Sequence, residues 1–197
     1  MSQPTPDPAE EGALIARARA GDESAFAQLV TVHSARVYGA LRRFGLNSEE
    51  ADEVSQEVFL RVWRGLPGFE ERSRFSTWLY RIAFNEAQRR LGRRPPPTAS
   101  SRTTDEDAVA ALPDAIGAGP QARALDGEFE QVLQQALAQL PADLRAAVVL
   151  RDLEGLTTEE AAAVAGVRQA AFKSRLHRGR MQLGALLEPY LRLEQAF

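Results

Sequence analysis

TTEEAAAVAGVRQAAFKSRLHRGR, residues 157–180, is the stretch on which the fold turns. Thr157 suits a helix N-cap, and Glu160 three residues on completes a capping box, so that two otherwise orphaned backbone N–H groups find side-chain acceptors. Ala161, Ala162 and Ala165 are small enough to let a second helix cross closely. Gly166 reads as the end of the first helix, because glycine takes the left-handed cap without steric cost. Val167 then packs into the turn, and a second helix opens near Arg168 or Gln169. From 168 to 180 the chain holds Arg168, Lys173, Arg175, Arg178 and Arg180, with His177 and no acidic residue, a charge of +5. Such a run is ordinarily a solvated face. Here it follows a cap and a glycine turn at helix-turn-helix spacing. That points to a helix entering a DNA major groove, where Arg, Lys and Gln meet base edges and phosphates.

Working outward, the rest of the chain is also helical in pattern. The 197 residues are 44% hydrophobic, no segment alternates with a period of two for long, and the fold class is all-α. No apolar run approaches the length of a membrane span. The opening MSQPTPDPAEEG is polar and acidic, unlike a signal peptide, which predicts a cytoplasmic protein with no membrane insertion. With no cysteine and only His33 and His177, neither a disulfide, a metal site nor any other cofactor is expected. The acids Asp105, Glu106 and Asp107 read as a solvated loop.

Net charge is −3, yet it is segregated. Residues 72–94 carry seven arginines against Glu86 alone, a second basic patch of +6. Two separated patches on an acidic chain suggest two DNA contacts, weak binding by the free chain, and help from a larger partner.

Between the patches lies a segment rich in Pro, Gly, Ser, Thr and acid, residues 95–127. Pro95, Pro96 and Pro97 stop the preceding helix. A flexible linker of this length would span about 30 Å on average. The expected architecture is two small helical domains, 13–94 and 128–190, joined by this linker, with the helix-turn-helix in the second.

In the first domain, ESAFAQLVTVHSARVYGALRRFG from Glu23 places Phe26, Leu29, Val30, His33, Val37 and Leu41 along one face. A second helix starts at the Asn47/Ser48 cap, with Phe59, Val62, Trp63 and Leu66 at core spacing. After the loop PGFEERS a third helix repeats that spacing with Phe75, Trp78, Leu79 and Ile82. After the linker, Phe129 to Leu140 and Leu144 to Leu153 read as helices separated by Pro141. There is no P-loop, no GxGxxG and no paired catalytic carboxylates, so an enzyme acting alone is not expected.

The segments EEADEVSQEVFLRVW and LPGFEERSRFSTWLYRIAFNEAQRRLGRR resemble region 2 of bacterial sigma factors, and LAQLPADLRAAVVLRDLEGLTTEEAAAVAGVRQAAFKSRLHRGRMQL resembles region 4. A short linker in place of a middle domain is similar to the extracytoplasmic-function (ECF) group. The resemblance implies a promoter-specificity subunit of RNA polymerase, with a stress or envelope response as its setting. Its implied partners are core RNA polymerase (the β′ clamp helices and the β flap), promoter DNA and an anti-sigma factor.

Residue by residue, it implies polymerase docking through Asp52, Glu53, Gln56, Glu57 and Phe59. It implies minus-ten contacts through Phe69, Arg72, Arg74, Arg81, Asn85, Arg89 and Arg90. It implies minus-thirty-five contacts through Arg168, Gln169, Lys173, Ser174, Arg175, His177 and Arg178. The dense acids Glu50, Asp52, Glu53 and Glu57 independently suit a basic partner helix. Departures are Arg168 in place of Pro or Ser, Ala170–Ala171 in place of Gly-Thr, and Phe84 where Arg is common. The other readings are a free-standing helix-turn-helix transcription regulator, for which the N-terminal half lacks any βα alternation, and an interaction module, which the basic patches oppose.

Overall fold

The structure, a computed structural model, describes residues 8–92 and 126–194. All but the last two residues of the linker read at 95–127 lie outside them. Eight helices and two short helical turns appear among the described residues, and no strand. The chain divides into two compact units near Leu91. The first comprises α1 (Pro8–Arg19), α2 (Glu23–Phe44), α3 (Ser48–Gly65), a 3-10 turn (Leu66–Gly68) and α4 (Phe75–Gly92). The second comprises α5 (Asp126–Gln139), α6 (Ala142–Val148), a π-helical turn (Val149–Leu153), α7 (Thr158–Ala165) and α8 (Gln169–Glu194). No described helix is long and apolar enough to cross a membrane.

Local chemistry sets most of the boundaries. Asp22 opens α2, its Oδ1 accepting from Ala25 N–H at 3.0 Å while Arg17 holds Oδ2 at 2.6 Å. The backbone N–H of Ala25, and then Arg17, keep the Asp22 carboxyl below its ordinary pKa. Asn47 and Glu50 cap α3 reciprocally, at 2.8 and 3.0 Å. The capping box read at Thr157 is present. Glu160 N–H donates to Thr157 Oγ1 at 3.2 Å, and Thr157 N–H donates to Glu160 Oε2 at 2.8 Å. Thr157→Ala is expected to cost the second unit about 1 kcal/mol, read as a lower midpoint in denaturant with an unchanged slope.

The first core runs along Leu29, His33, Val37 and Leu41 of α2, Val54, Val58 and Val62 of α3, and Phe75, Leu79 and Ala83 of α4. These follow the three-and-four spacing of one helix face. Phe59 and Trp63, expected on the core stripe of α3, sit instead at its flank and stay partly exposed. The helix α1 was not anticipated, and it brings part of the polar opening into the fold. His33 Nε2 lies 2.9 Å from Glu11 Oε1 of α1.

The second core is built from Leu137, Leu140, Leu144, Val148, Leu150, Leu156, Ala161 and Val164, with Phe172 and Leu176 entering from α8. Gly166 has φ +68°, and its N–H and that of Val167 both point to the Ala162 carbonyl, as the turn requires. The second helix of the motif continues well past Arg180, through Pro189 to Glu194.

Candidate nucleic-acid surfaces and docking face

In the second unit, Phe172, Leu176, Gly179 and Leu183 form the inward row of α8. The opposite side carries Ala170, Ser174, His177 and Met181, flanked by Lys173 on one edge and Arg178 on the other. Arg168 and Gln169 are exposed at the N-terminus of the helix, beside the turn. The five cations are not equivalent. Arg180 is held by Asp152 through two bonds of 2.9 and 2.6 Å, and Arg175 Nε lies 3.6 Å from Asp143 Oδ2. Arg168, Lys173 and Arg178 make no ion pair among the described residues. Arg175, expected among the DNA contacts, is therefore turned toward the start of α6.

In the first unit, the exposed face of α4 carries Arg81 and Asn85, neither in an ion pair among the described residues. Arg74 lies exposed just before α4, and Arg72 is exposed on the loop, 2.7 Å from Glu70. Gln88, three residues beyond Asn85, shares this face, and the spacing 81, 85, 88 could have flagged it. Phe69, expected to meet DNA, is only 6% exposed in the free chain. Its ring stacks on Trp78 at 4.9 Å and meets Phe75 edge-on at 5.8 Å. An aromatic with that much apolar surface is better buried beneath the loop than offered to water. Phe84 is buried as well, so the position where a phosphate-binding arginine was missed belongs to the core.

Arg89 and Arg90 are the larger surprise. Arg89 pairs with Glu57 and Glu86 at 2.5 Å, and Arg90 pairs with Glu53 at 2.9 Å and lies 3.5 Å from Glu50. Arg61 closes the network on Glu86 at 2.6 Å. Hydrogen bonding to Glu86 raises the Arg89 guanidinium further above its ordinary pKa, so it stays charged. Residues expected on two different surfaces, Glu53 and Glu57 on one and Arg89 and Arg90 on the other, thus form one ladder between α3 and α4.

What remains on the outer side of α3 is a narrower face. Asp52 and Gln56 are exposed, Phe59 is half-buried, and Leu60 is 55% exposed. Together with Glu23, Phe26 and Trp63 of the α2–α3 cleft, Gln56, Phe59 and Leu60 line an open, mainly apolar groove. Phe26 and Trp63 floor it with ring centroids 4.8 Å apart. Leu60 and the groove were missed because the sequence signal there is charge.

Comparison with known proteins matches both units. Residues 29–95 match Sigma-70 region 2, and residues 130–183 match Sigma-70, region 4. The chain is 39% identical over 187 residues to the RNA polymerase sigma-H factor of Pseudomonas aeruginosa, covering 91% of this chain and 94% of that one. It is 35% identical to the ECF RNA polymerase sigma-E factor of Escherichia coli over 91% and 95% of the two chains. Among solved structures it is similar to CnrH in complex with the cytosolic domain of CnrY, with a TM-score of 0.64, 28% identity, and coverage of 91% and 98%. It is also similar to RpoE of Bartonella quintana in complex with the anti-sigma factor NepR, with a TM-score of 0.57, 25% identity, and coverage of 83% and 96%.

Proposed function

Because the chain belongs to the extracytoplasmic-function group of RNA polymerase sigma factors, we propose a division of its surfaces among polymerase, the minus-ten element and the minus-thirty-five element. The protein directs core RNA polymerase to promoters for transcription initiation. The observation that carries the division is that Arg81 in the first unit and Arg168, Lys173 and Arg178 in the second make no ion pair among the described residues, while α3 offers a separate apolar and acidic face.

The face of Asp52, Gln56, Phe59 and Leu60 docks on the β′ clamp helices, its apolar groove supplying contact area and its acids selecting a basic partner. The loop of Arg72 and the α4 face of Arg74, Arg81, Asn85 and Gln88 engage the minus-ten element, with Asn85 placed for a base and the arginines for phosphates. Arg168, Gln169, Lys173, Ser174, His177 and Arg178 face the minus-thirty-five element, and region 4 also meets the β flap. Residues 13–94 and 128–190 act as the two functional domains.

The chain contributes recognition and the polymerase supplies the catalysis, so no cofactor or active centre of its own is assigned. It works in the cytoplasm, where polymerase and chromosome are. An anti-sigma factor holds it inactive until an envelope or other stress signal arrives. The complexes of the similar CnrH and RpoE, caught with CnrY and with NepR, support that reading.

Run-off transcription with core polymerase on genomic promoter fragments tests the assignment. Transcripts should start only at a restricted promoter set, and only when the chain is present. Lys173→Ala and Arg178→Ala should each lower promoter use by about 1–3 kcal/mol, roughly 5- to 150-fold, if the side chain reads a base. Arg175→Ala should do less, since Asp143 already engages that guanidinium. An equal or larger loss from Arg175→Ala would reverse the assignment.

A further inference from the structure

Among the described residues, Glu71 is the one non-glycine with positive φ, at +57°. Left-handed backbone is disfavoured for a residue with a side chain, so something nearby must hold it. Arg19 of α1 donates from Nη1 to Glu71 Oε1 at 2.9 Å, across 52 residues of sequence. The helix α1 also packs against the 3-10 turn at Leu66–Gly68, from which the loop departs. It is itself fixed, by Arg17 on Asp22 and by Glu11 at His33. Beneath the loop, Phe69 rests on Trp78 and Phe75, and His33 lies 5.3 Å from the Phe75 ring. The loop is therefore gripped at its base by aromatic packing and at its tip by one ion pair. The left-handed residue also sets the chain direction between Glu70 and Arg72, which pair across it at 2.7 Å.

We propose that Arg19 is a positioning residue for promoter opening: by holding Glu71 in its left-handed conformation it aims the Glu70–Arg74 loop, and Arg72 with it, at the separating DNA strand. The proposal rests on the reading of this loop as a minus-ten contact. Arg19 touches no DNA in it. The pair is exposed, with side chains 40% and 62% accessible, so it adds little to global stability. An exposed ion pair opposes the cost of a left-handed glutamate and offsets part of it. The pair thus shifts a local equilibrium between loop conformations while leaving the fold alone. Evaluated on stability alone, Arg19 would look dispensable.

The test uses holoenzyme reconstituted from core polymerase and the full chain, reading the rate of open-complex formation from a fluorescent base in the minus-ten element. Arg19→Gln and Glu71→Ala are expected to slow opening by about three- to fivefold with core affinity and thermal midpoint unchanged. Glu71→Gly, which reaches positive φ without a pin, should recover part of the rate lost in Glu71→Ala. In that glycine background, Arg19→Gln should have no further effect.

Opening rates within about twofold of the parent for Arg19→Gln and Glu71→Ala would overturn the proposal, since a tip contact worth so little could not aim the loop. So would an undiminished Arg19→Gln effect in the glycine background, which would place Arg19 in some other role. Arg72→Ala and the pair Arg81→Ala with Asn85→Ala serve as reference in the same assay. If those slow opening and Arg19→Gln does not, only the positioning role fails. If they leave opening unchanged, the minus-ten reading itself fails, and the positioning role falls with it.

Discussion

Gly179→Val is expected to unfold the second unit while the first stays folded. A Cβ on residue 179 would lie 2.8 Å from Val148 Cγ2 and 2.9 Å from the Leu144 carbonyl oxygen. The second of these is backbone, fixed in α6, and α6 runs straight into the π-helical turn. Neither helix can withdraw without opening the core around Phe172 and Leu176, both buried. Alanine would face opposing terms. Removing a mid-helix glycine favours the helix by about 1 kcal/mol, and overpacking costs about 1–3 kcal/mol. Valine adds two methyl groups and a β-branch to that clash, and the cost should exceed roughly 3 kcal/mol, a large share of the stability of a unit this small. Amide hydrogen exchange on the full chain checks it. Protection should collapse across residues 142–183 and persist across 23–91. Unchanged protection in α6 and α8 would mean that the close crossing has slack.

Leu60→Arg should cripple capture of core polymerase without touching the fold. Leu60 is 55% exposed, so its replacement leaves no cavity. It stands over a groove floored by Phe26 and Trp63, the arrangement in which a few apolar anchors carry most of the binding energy. An arginine there loses the anchor and brings like charge to a basic partner. The expected loss is about 3 kcal/mol, on the order of a hundredfold in affinity. Leu60→Met should stay near the parent. Competition for core polymerase against a labelled sigma factor gives the number directly. Parental affinity for the arginine variant would move the docking face off α3.

What the sequence disclosed was mostly local. The Thr157–Glu160 box and the Gly166 cap span three or four residues and depend on nothing distant, so they were readable. The helices α2 to α8 followed from spacing and capping residues. The helix α1 did not, because its run of alternating acids, alanines and arginines looks like a solvated tail until it is seen lying against His33. The burial of Phe69 was hidden for a related reason. The resemblance put it in a loop that runs on into Glu70, Glu71 and Arg72, and nothing in that short text announces the return of Trp78 and Phe75 beneath it. Counting charge found the arginines of α4 but could not find their partners. Glu57 lies 32 residues before Arg89, and nothing in the intervening text announces the pair. Gly179 was equally silent, since its importance belongs to α6.

The ladder of Glu50, Glu53, Glu57 and Glu86 against Arg89 and Arg90 has a consequence for ionic strength. A free cation that meets DNA displaces a small ion from the phosphate, and the entropy of that release makes affinity fall as salt rises. Arg89 and Arg90 already carry their counter-charges on the same chain. To reach a phosphate they must abandon a carboxylate, and the weak ion atmosphere drawn to that freed carboxylate offsets part of the release at the DNA. Their binding would depend less steeply on salt in the isolated chain. If basic helices of a partner neutralise Glu53 and Glu57 instead, that offset is lost, and the release of about one ion for each arginine that reaches the DNA stands in full. The salt dependence of promoter binding should therefore steepen in the holoenzyme, with the steeper slope recording a charge handed from one chain to another.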